Sequence, residues 1–101
     1  MRRPIVLVPA CQRQLGSHAW HMAQDKYLHA VLRGAGCMPL LLPALGADAD
    51  LEAALRIADG VMLTGSASNV DARLYGEDIL HPDLPQDPAR DATTLPLIRA
   101  A

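Results

Sequence analysis

The chain has 101 residues, half of them apolar, and a formal net charge of −2. That length suits one domain and excludes two, and a folded chain of this size hides only about 60–70% of the surface its unfolded form exposes. Nine basic against eleven acidic side chains leave no cationic stripe to neutralise phosphates, so nucleic acid is not an expected partner.

Arg2 and Arg3 precede the apolar run at residues 5–8 as in a secretory leader, but Pro9 and Gln12 follow too soon for one. No stretch approaches the ~20 apolar residues that cross a bilayer. Cys11 and Cys37 lie far apart in the sequence, as in a protein of a reducing compartment. The expectation is a soluble, cytoplasmic protein with no membrane contact.

The β-branched run at 5–8, bounded by Pro4 and Pro9, predicts a strand covered on both faces. Residues 17–33 change period. Trp20, Ala23, Tyr27, Ala30, Val31 and Gly34 fall on one stripe, which predicts an amphipathic helix capped by Ser17 and stopped by the glycines at 34 and 36. Residues 40–42, held between Pro39 and Pro43, predict a second strand. Residues 48–58 predict a short helix that Asp48 or Asp50 caps. Asp59 and Gly60 turn the chain into a third strand at 61–63, which ends in the small polar loop Thr64-Gly65-Ser66-Ala67-Ser68-Asn69.

Strand and helix thus alternate through about three βα units. The expected fold class is α/β, a parallel sheet with flanking helices. In such sheets ligands sit outside the carboxyl ends of the strands, which puts the loops after Val8 and Leu63 on the functional rim. Residues 71–91 carry acids and the prolines Pro82, Pro85 and Pro88 without either hydrophobic period, and predict a long irregular loop within the single domain 1–101. Asp87-Pro88 reads as a helix start. Ala92, Leu95 and Ile98 form an apolar stripe, Pro96 should kink the helix, and the pattern reaches Ala101 with no stop signal, as in an element cut short.

The loop after the third strand is the most informative feature, because small residues let backbone N–H groups face a ligand's negative charge. Gly65 and Ser66 are the natural donors, for an oxyanion or, less aptly, for a phosphate. A phosphate cradle would have more glycines and a helix opening at once. A turn without a ligand is the plain alternative. Cys11 follows the first strand on the rim, but Pro9 and Arg13 stand where a nucleophile elbow needs small residues. Cys37 has no strand leading into it. Both are expected to be small buried apolar groups, held beyond disulfide reach by the helix between them. His21, Asp25 and His29, with His18 before them, have the residue types of a metal site on one helical face, yet the spacing equally describes a solvated, paired surface. No metal or dissociable cofactor is expected. Tyr75 and Gly76 could close over a substrate or fold back on their own loop.

Taken together, Lys26-Tyr27-Leu28 with Ala30-Val31, Ala35-Gly36 leading to Pro39 and Leu42-Pro43, Asp59-Gly60, Thr64 to Val70, Leu74-Tyr75-Gly76-Glu77 and Arg90-Asp91 form an ordered set. In it the chain resembles the N-terminal part of the γ-glutamyl-γ-aminobutyrate hydrolase (peptidase C26) family. That family is a branch of the flavodoxin-like, class I glutamine amidotransferase-like fold, here incomplete. The resemblance implies cleavage of a γ-glutamyl amide, as in putrescine catabolism, through a cysteine thiolate and a γ-glutamyl thioester. It implies that the loop of Gly65 and Ser66 donates backbone N–H groups to the oxyanion, and that Ser68, Asn69 and Tyr75 lie around the substrate.

The family's nucleophile belongs to a Gly-x-Cys-x-Gly-like elbow on the strand after the helix ending here, and its histidine and glutamate come later still. Neither cysteine matches the nucleophile, and His18, His21, His29 and His81 do not match the histidine. The expectation is the oxyanion-loop half of a hydrolase, inactive alone and associating through its exposed sheet edge. A stand-alone α/β binding or interaction module is the alternative.

Overall fold

The computed structural model describes residues 2–78 and 83–101; His81 and Pro82, named above, lie outside them. The first strand, β1 (Ile5–Pro9), is the centre of a three-stranded parallel sheet. It pairs on one side with β4 (Met38–Leu42), in the register Ile5↔Met38 to Pro9↔Leu42, and on the other with β5 (Gly60–Val61). A strand flanked on both sides and covered on both faces has no wet side, which is why its sequence is a continuous apolar run. Leu7 and Val8 are buried accordingly. The third strand is shorter than the apolar run 61–63. Its ladder ends where Met62 N–H donates to the Leu7 carbonyl at 2.9 Å, and Leu63 is exposed.

Helices flank the sheet as expected. In α2 (Leu51–Ile57) Asp50 supplies the cap, its carboxylate accepting from Ala53 N–H at 2.9 Å. The helix α3 (Pro88–Ala100) packs against β1 and α2 and starts at Asp87-Pro88 as read. The expected kink at Pro96 is not a break, for the helix runs through it. Its buried face is also not the stripe of Ala92, Leu95 and Ile98. Arg90, Thr93 and Leu97 turn inward, while Ala92 and Ile98 are exposed. Thr93 tolerates burial because its hydroxyl donates to the Ala89 carbonyl at 2.8 Å and accepts from Gly46 N–H at 2.7 Å. A polar member in the buried stripe hides it from any hydrophobic count.

The largest departure lies between Ala10 and Gln24. Instead of opening a helix at Ser17, the chain makes an antiparallel hairpin of β2 (Cys11–Leu15) and β3 (His18–Met22), with Cys11 opposite Met22 and Leu15 opposite His18. Gly16 and Ser17 form its two-residue turn. Gly16 has φ +62, the conformation a tight hairpin asks of its first central residue. Both strands are largely exposed, Trp20 among them, so neither face imposes a two-residue period on the sequence. The helix begins at α1 (Asp25–His29), preceded by Gln24 with no side-chain cap. It then widens into a π turn (Ala30–Gly34), closed by Ala35 N–H on the Ala30 carbonyl at 3.1 Å. Val31 is the buried residue of that turn.

The acidic segment is only partly irregular. Asp71 caps a 3-10 turn (Ala72–Tyr75), Asn69 bridges to Gln86, and Pro88 to Asp91 already belong to α3. Among the described residues no helix is long and apolar enough to cross a membrane.

Hydrogen bonds from the Arg73 guanidinium, and then from its backbone N–H, hold the Asp71 carboxyl below its usual range. A carboxyl so depressed stabilises the fold fully above its unfolded pKa and loses that contribution as pH falls through the folded value. The 3-10 turn is therefore expected to stay ordered at mild acidity and to loosen only below the ordinary carboxylate range. In Arg73→Gln the Asp71 titration should move upward, read from side-chain carboxyl NMR shifts.

Candidate functional site

The carboxyl ends of β1 and β5 bring two loops together. Ala10 N–H donates to the Leu42 carbonyl at 2.9 Å, which carries the ladder one residue past β1 and delivers Cys11 to the rim. Beyond β5, Thr64, Gly65 and Ser66 arrive at the same place. Cys11 Sγ and Ser66 Oγ lie 3.4 Å apart, and Ser66 Oγ accepts from Ser68 N–H at 3.2 Å with Ser68 Oγ 3.0 Å away. Between the loops is a cavity of about 420 Å³, lined among others by Cys11, Arg13, Gln24, Tyr27, Gly65 and Ser66. Among the described residues, no group accepts from the backbone N–H of Gly65 or of Ser66. At the Gly65 Cα, a side chain would meet the Tyr27 hydroxyl at 3.1 Å, so glycine keeps this wall open.

The start of α3 fixes both loops from behind. Asp87, buried, accepts from Arg90 N–H at 3.0 Å as the helix cap and from Gln12 N–H at 2.8 Å. Arg90, also buried, donates from Nη2 to the Thr64 carbonyl at 2.6 Å and from Nη1 to Cys11 Sγ at 3.2 Å. Asp91 accepts from Asp71 N–H at 3.0 Å. Buried charges are costly unless hydrogen-bonded, and each of these three is bonded to a different stretch of chain. His21 fastens the hairpin from the other side, its Nδ1 accepting from Ala44 N–H at 3.0 Å.

The sequence-derived candidates separate here. Gly65 and Ser66 share the cavity. Ser68 lies one step further round, lining a neighbouring cavity with Gln12, Pro85 and Asp87. Asn69 is spent on structure, its N–H and side-chain amide both donating to the Pro85 carbonyl at 2.8 and 3.3 Å. Tyr75 is 62% exposed and does not line the cavity of Gly65. Cys11 is not the small buried apolar group expected, since it is partly exposed with its sulfur in polar contact. Cys37 is partly exposed too, its sulfur bonded to the Ala35 carbonyl, and both are thiols. The supposed single face of His21, Asp25 and His29 does not exist: His21 is on β3, whereas Asp25 and His29 pair along the helix at 3.2 Å. Among the described residues no three metal-binding side chains cluster. Sequence reading missed the roles of Tyr27, Asp87 and Arg90, although Tyr27 and Arg90 stand in the motifs quoted above. The one local signal was the Asp87-Pro88 helix start two residues before Arg90.

The sequence profile of the peptidase C26 family matches residues 4–101. The chain belongs to the peptidase C26 family. This C26 chain is 43% identical over 102 aligned positions to the gamma-glutamyl-gamma-aminobutyrate hydrolase of Escherichia coli O157:H7, and 42% identical to that of Escherichia coli (strain K12). It is 41% identical to the gamma-glutamyl-gamma-aminobutyrate hydrolase of Shigella flexneri. Each alignment covers the whole C26 chain and 39% of the relative.

Two outcomes test this geometry. Asp87→Ala removes the acceptor of two backbone N–H groups and should lower stability by about 2–3 kcal/mol, read from the urea midpoint, with Asp87→Asn losing less. Gly65→Ala should be better tolerated by at least ~0.5 kcal/mol when Tyr27→Phe removes the hydroxyl it would crowd, as a double-mutant cycle measures.

Proposed function

We propose that this chain supplies the oxyanion-donating loop of a cysteine-dependent hydrolase of γ-glutamyl amides. The observation that carries the reading is the pair of N–H groups at Gly65 and Ser66, for which no described residue is an acceptor, on a cavity at the carboxyl ends of parallel strands. The names of the curated relatives, borne by proteins of which this chain spans 39%, support the substrate class. In this reading a thiolate from polypeptide beyond these residues attacks the γ-carbonyl, and the oxygen takes up the displaced electron pair while facing the two amides. Collapse of the tetrahedral intermediate breaks the C–N bond as the amine takes the proton that a base, likewise beyond these residues, had removed from the thiol, and water then hydrolyses the thioester to glutamate and the free thiol. Among the described cavity-lining residues Arg13 alone carries a formal charge, a cation suited to the carboxylate of a γ-glutamyl group. A place in putrescine catabolism, in the cytoplasm, accords with such a substrate.

The test is γ-aminobutyrate release from γ-glutamyl-γ-aminobutyrate. The chain alone is expected to be silent, and mixed with the part of the strain K12 relative beyond the matched segment it is expected to turn over. An ester in place of the peptide bond at Ser66 N should then lower kcat about 10²–10³-fold. Arg13→Gln should raise KM and spare kcat. Turnover by the chain alone that Cys11→Ser abolishes would overturn the proposal, and a stable, cooperatively unfolding monomer that never complements would favour a binding module.

A further inference from the structure

The geometry points to Arg90 as the positioning residue that aims the Gly65 N–H into the cavity, an inference that rests on the oxyanion-loop reading. Thr64 and Gly65 share one peptide unit, and among the described residues no peptide bond is cis. In a trans peptide the C=O and N–H point in opposite directions. Whatever captures the Thr64 carbonyl therefore also sets where the Gly65 amide faces.

That captor is Arg90. Its Nη2 donates to the carbonyl at 2.6 Å and reaches the Thr64 hydroxyl at 3.4 Å, while Nη1 is held on Cys11 Sγ at 3.2 Å. The guanidinium is thus planted between the two rim loops, buried, on a helix whose first turn Asp87 caps. Arg90 lies on the α3 side of Thr64, where Leu63, Thr64, Arg90, Asp91 and Leu95 enclose a different cavity. Tyr27 lies against Gly65 in the cavity of the site. A carbonyl drawn toward α3 turns the amide the other way, toward Tyr27. A cationic donor on the oxygen also draws electron density from the peptide and makes the N–H on its far end a better donor. Lysine could hold the carbonyl with one bond but not the carbonyl and the sulfur in a single planar fork.

The experiment is NMR on the labelled full chain. In the unmutated protein the Gly65 amide proton should show a nuclear Overhauser contact to the Tyr27 ring and none to α3. The 65–66 backbone should be rigid, with an order parameter of about 0.85. Arg90→Ala should drop that order parameter below about 0.6 and erase the Tyr27 contact while the β1 and β4 amides keep theirs, and Arg90→Lys should restore part of both. A Gly65 amide facing α3 in the unmutated chain overturns the proposal without recourse to any variant. So does an Arg90→Ala chain whose Gly65 signal and order are unchanged. Should Arg90→Ala unfold, the unmutated chain and Arg90→Lys still decide. A correctly aimed, Arg90-dependent amide combined with full turnover by the Ser66 ester would instead defeat the oxyanion-loop reading and leave the role of Arg90 standing.

Discussion

Three ionisable side chains at the first turn of α3 hold the rim of this protein together. Asp87, Arg90 and Asp91 are all buried, and each is bonded to backbone far away in sequence: Gln12, Thr64 and Asp71 respectively. A buried charge with idle hydrogen-bonding capacity would be strongly unfavourable, so these groups tolerate only a narrow set of positions for the loops they touch. Apolar packing cannot do this at the rim, where Gly65 and Ser66 are exposed and offer almost nothing to bury. The core fixes the strands, and the polar clamps fix what the strands present.

The division of labour runs along β1. Its middle, Leu7 and Val8, is the best-buried part of the sheet, while its carboxyl end passes through Ala10 into Cys11 and a hairpin that stands mostly in solvent. The hairpin gains little from burial, so its placement depends on a few directed bonds. Asp87 holds Gln12, Arg90 holds the Cys11 sulfur, and His21 holds Ala44 N–H. These contacts close one wall of the cavity, with Arg13 and Met22 of the hairpin facing Tyr27 and Gly65 across it.

How far the sequence could be read follows from the same division. The strand at 5–9 was legible because a strand flanked on both sides reads as a continuous apolar run, the one at 40–42 because prolines bracket its leucines although Leu40 and Leu41 stay exposed on this edge strand, and the helix after Asp50 because a carboxylate caps it. The hairpin was not. Its strands have no buried face, and Trp20 and Ala23 happen to extend the period of the true helix backward, so the turn at Gly16-Ser17 was the sole usable signal. The inward face of α3 was misread because it carries Arg90 and Thr93 where a hydrophobic stripe was sought. Within the site, Gly65 and Ser66 could be named from a small-residue loop at the end of a strand. Asn69 and Tyr75 could not be distinguished from them, since only the folded chain shows Asn69 committed to Pro85 and Tyr75 turned outward. Arg90 acts across 26 residues on Thr64 and across 79 on Cys11, separations at which no local pattern survives.

Those separations also set an order of assembly during synthesis. The ladder between β1 and β4 can close once residue 42 has left the ribosome, and β5 can join some twenty residues afterwards. The rim cannot, because the partners of Gln12, Cys11 and Thr64 are carried by residues 87–90. For that interval the nascent chain has a sheet whose rim is open and whose hairpin is tethered through His21 to Ala44 and, once residue 66 has emerged, through Cys11 to Ser66. The helix that emerges after all three strands of the sheet is the one that gives the first strand's outlet its shape.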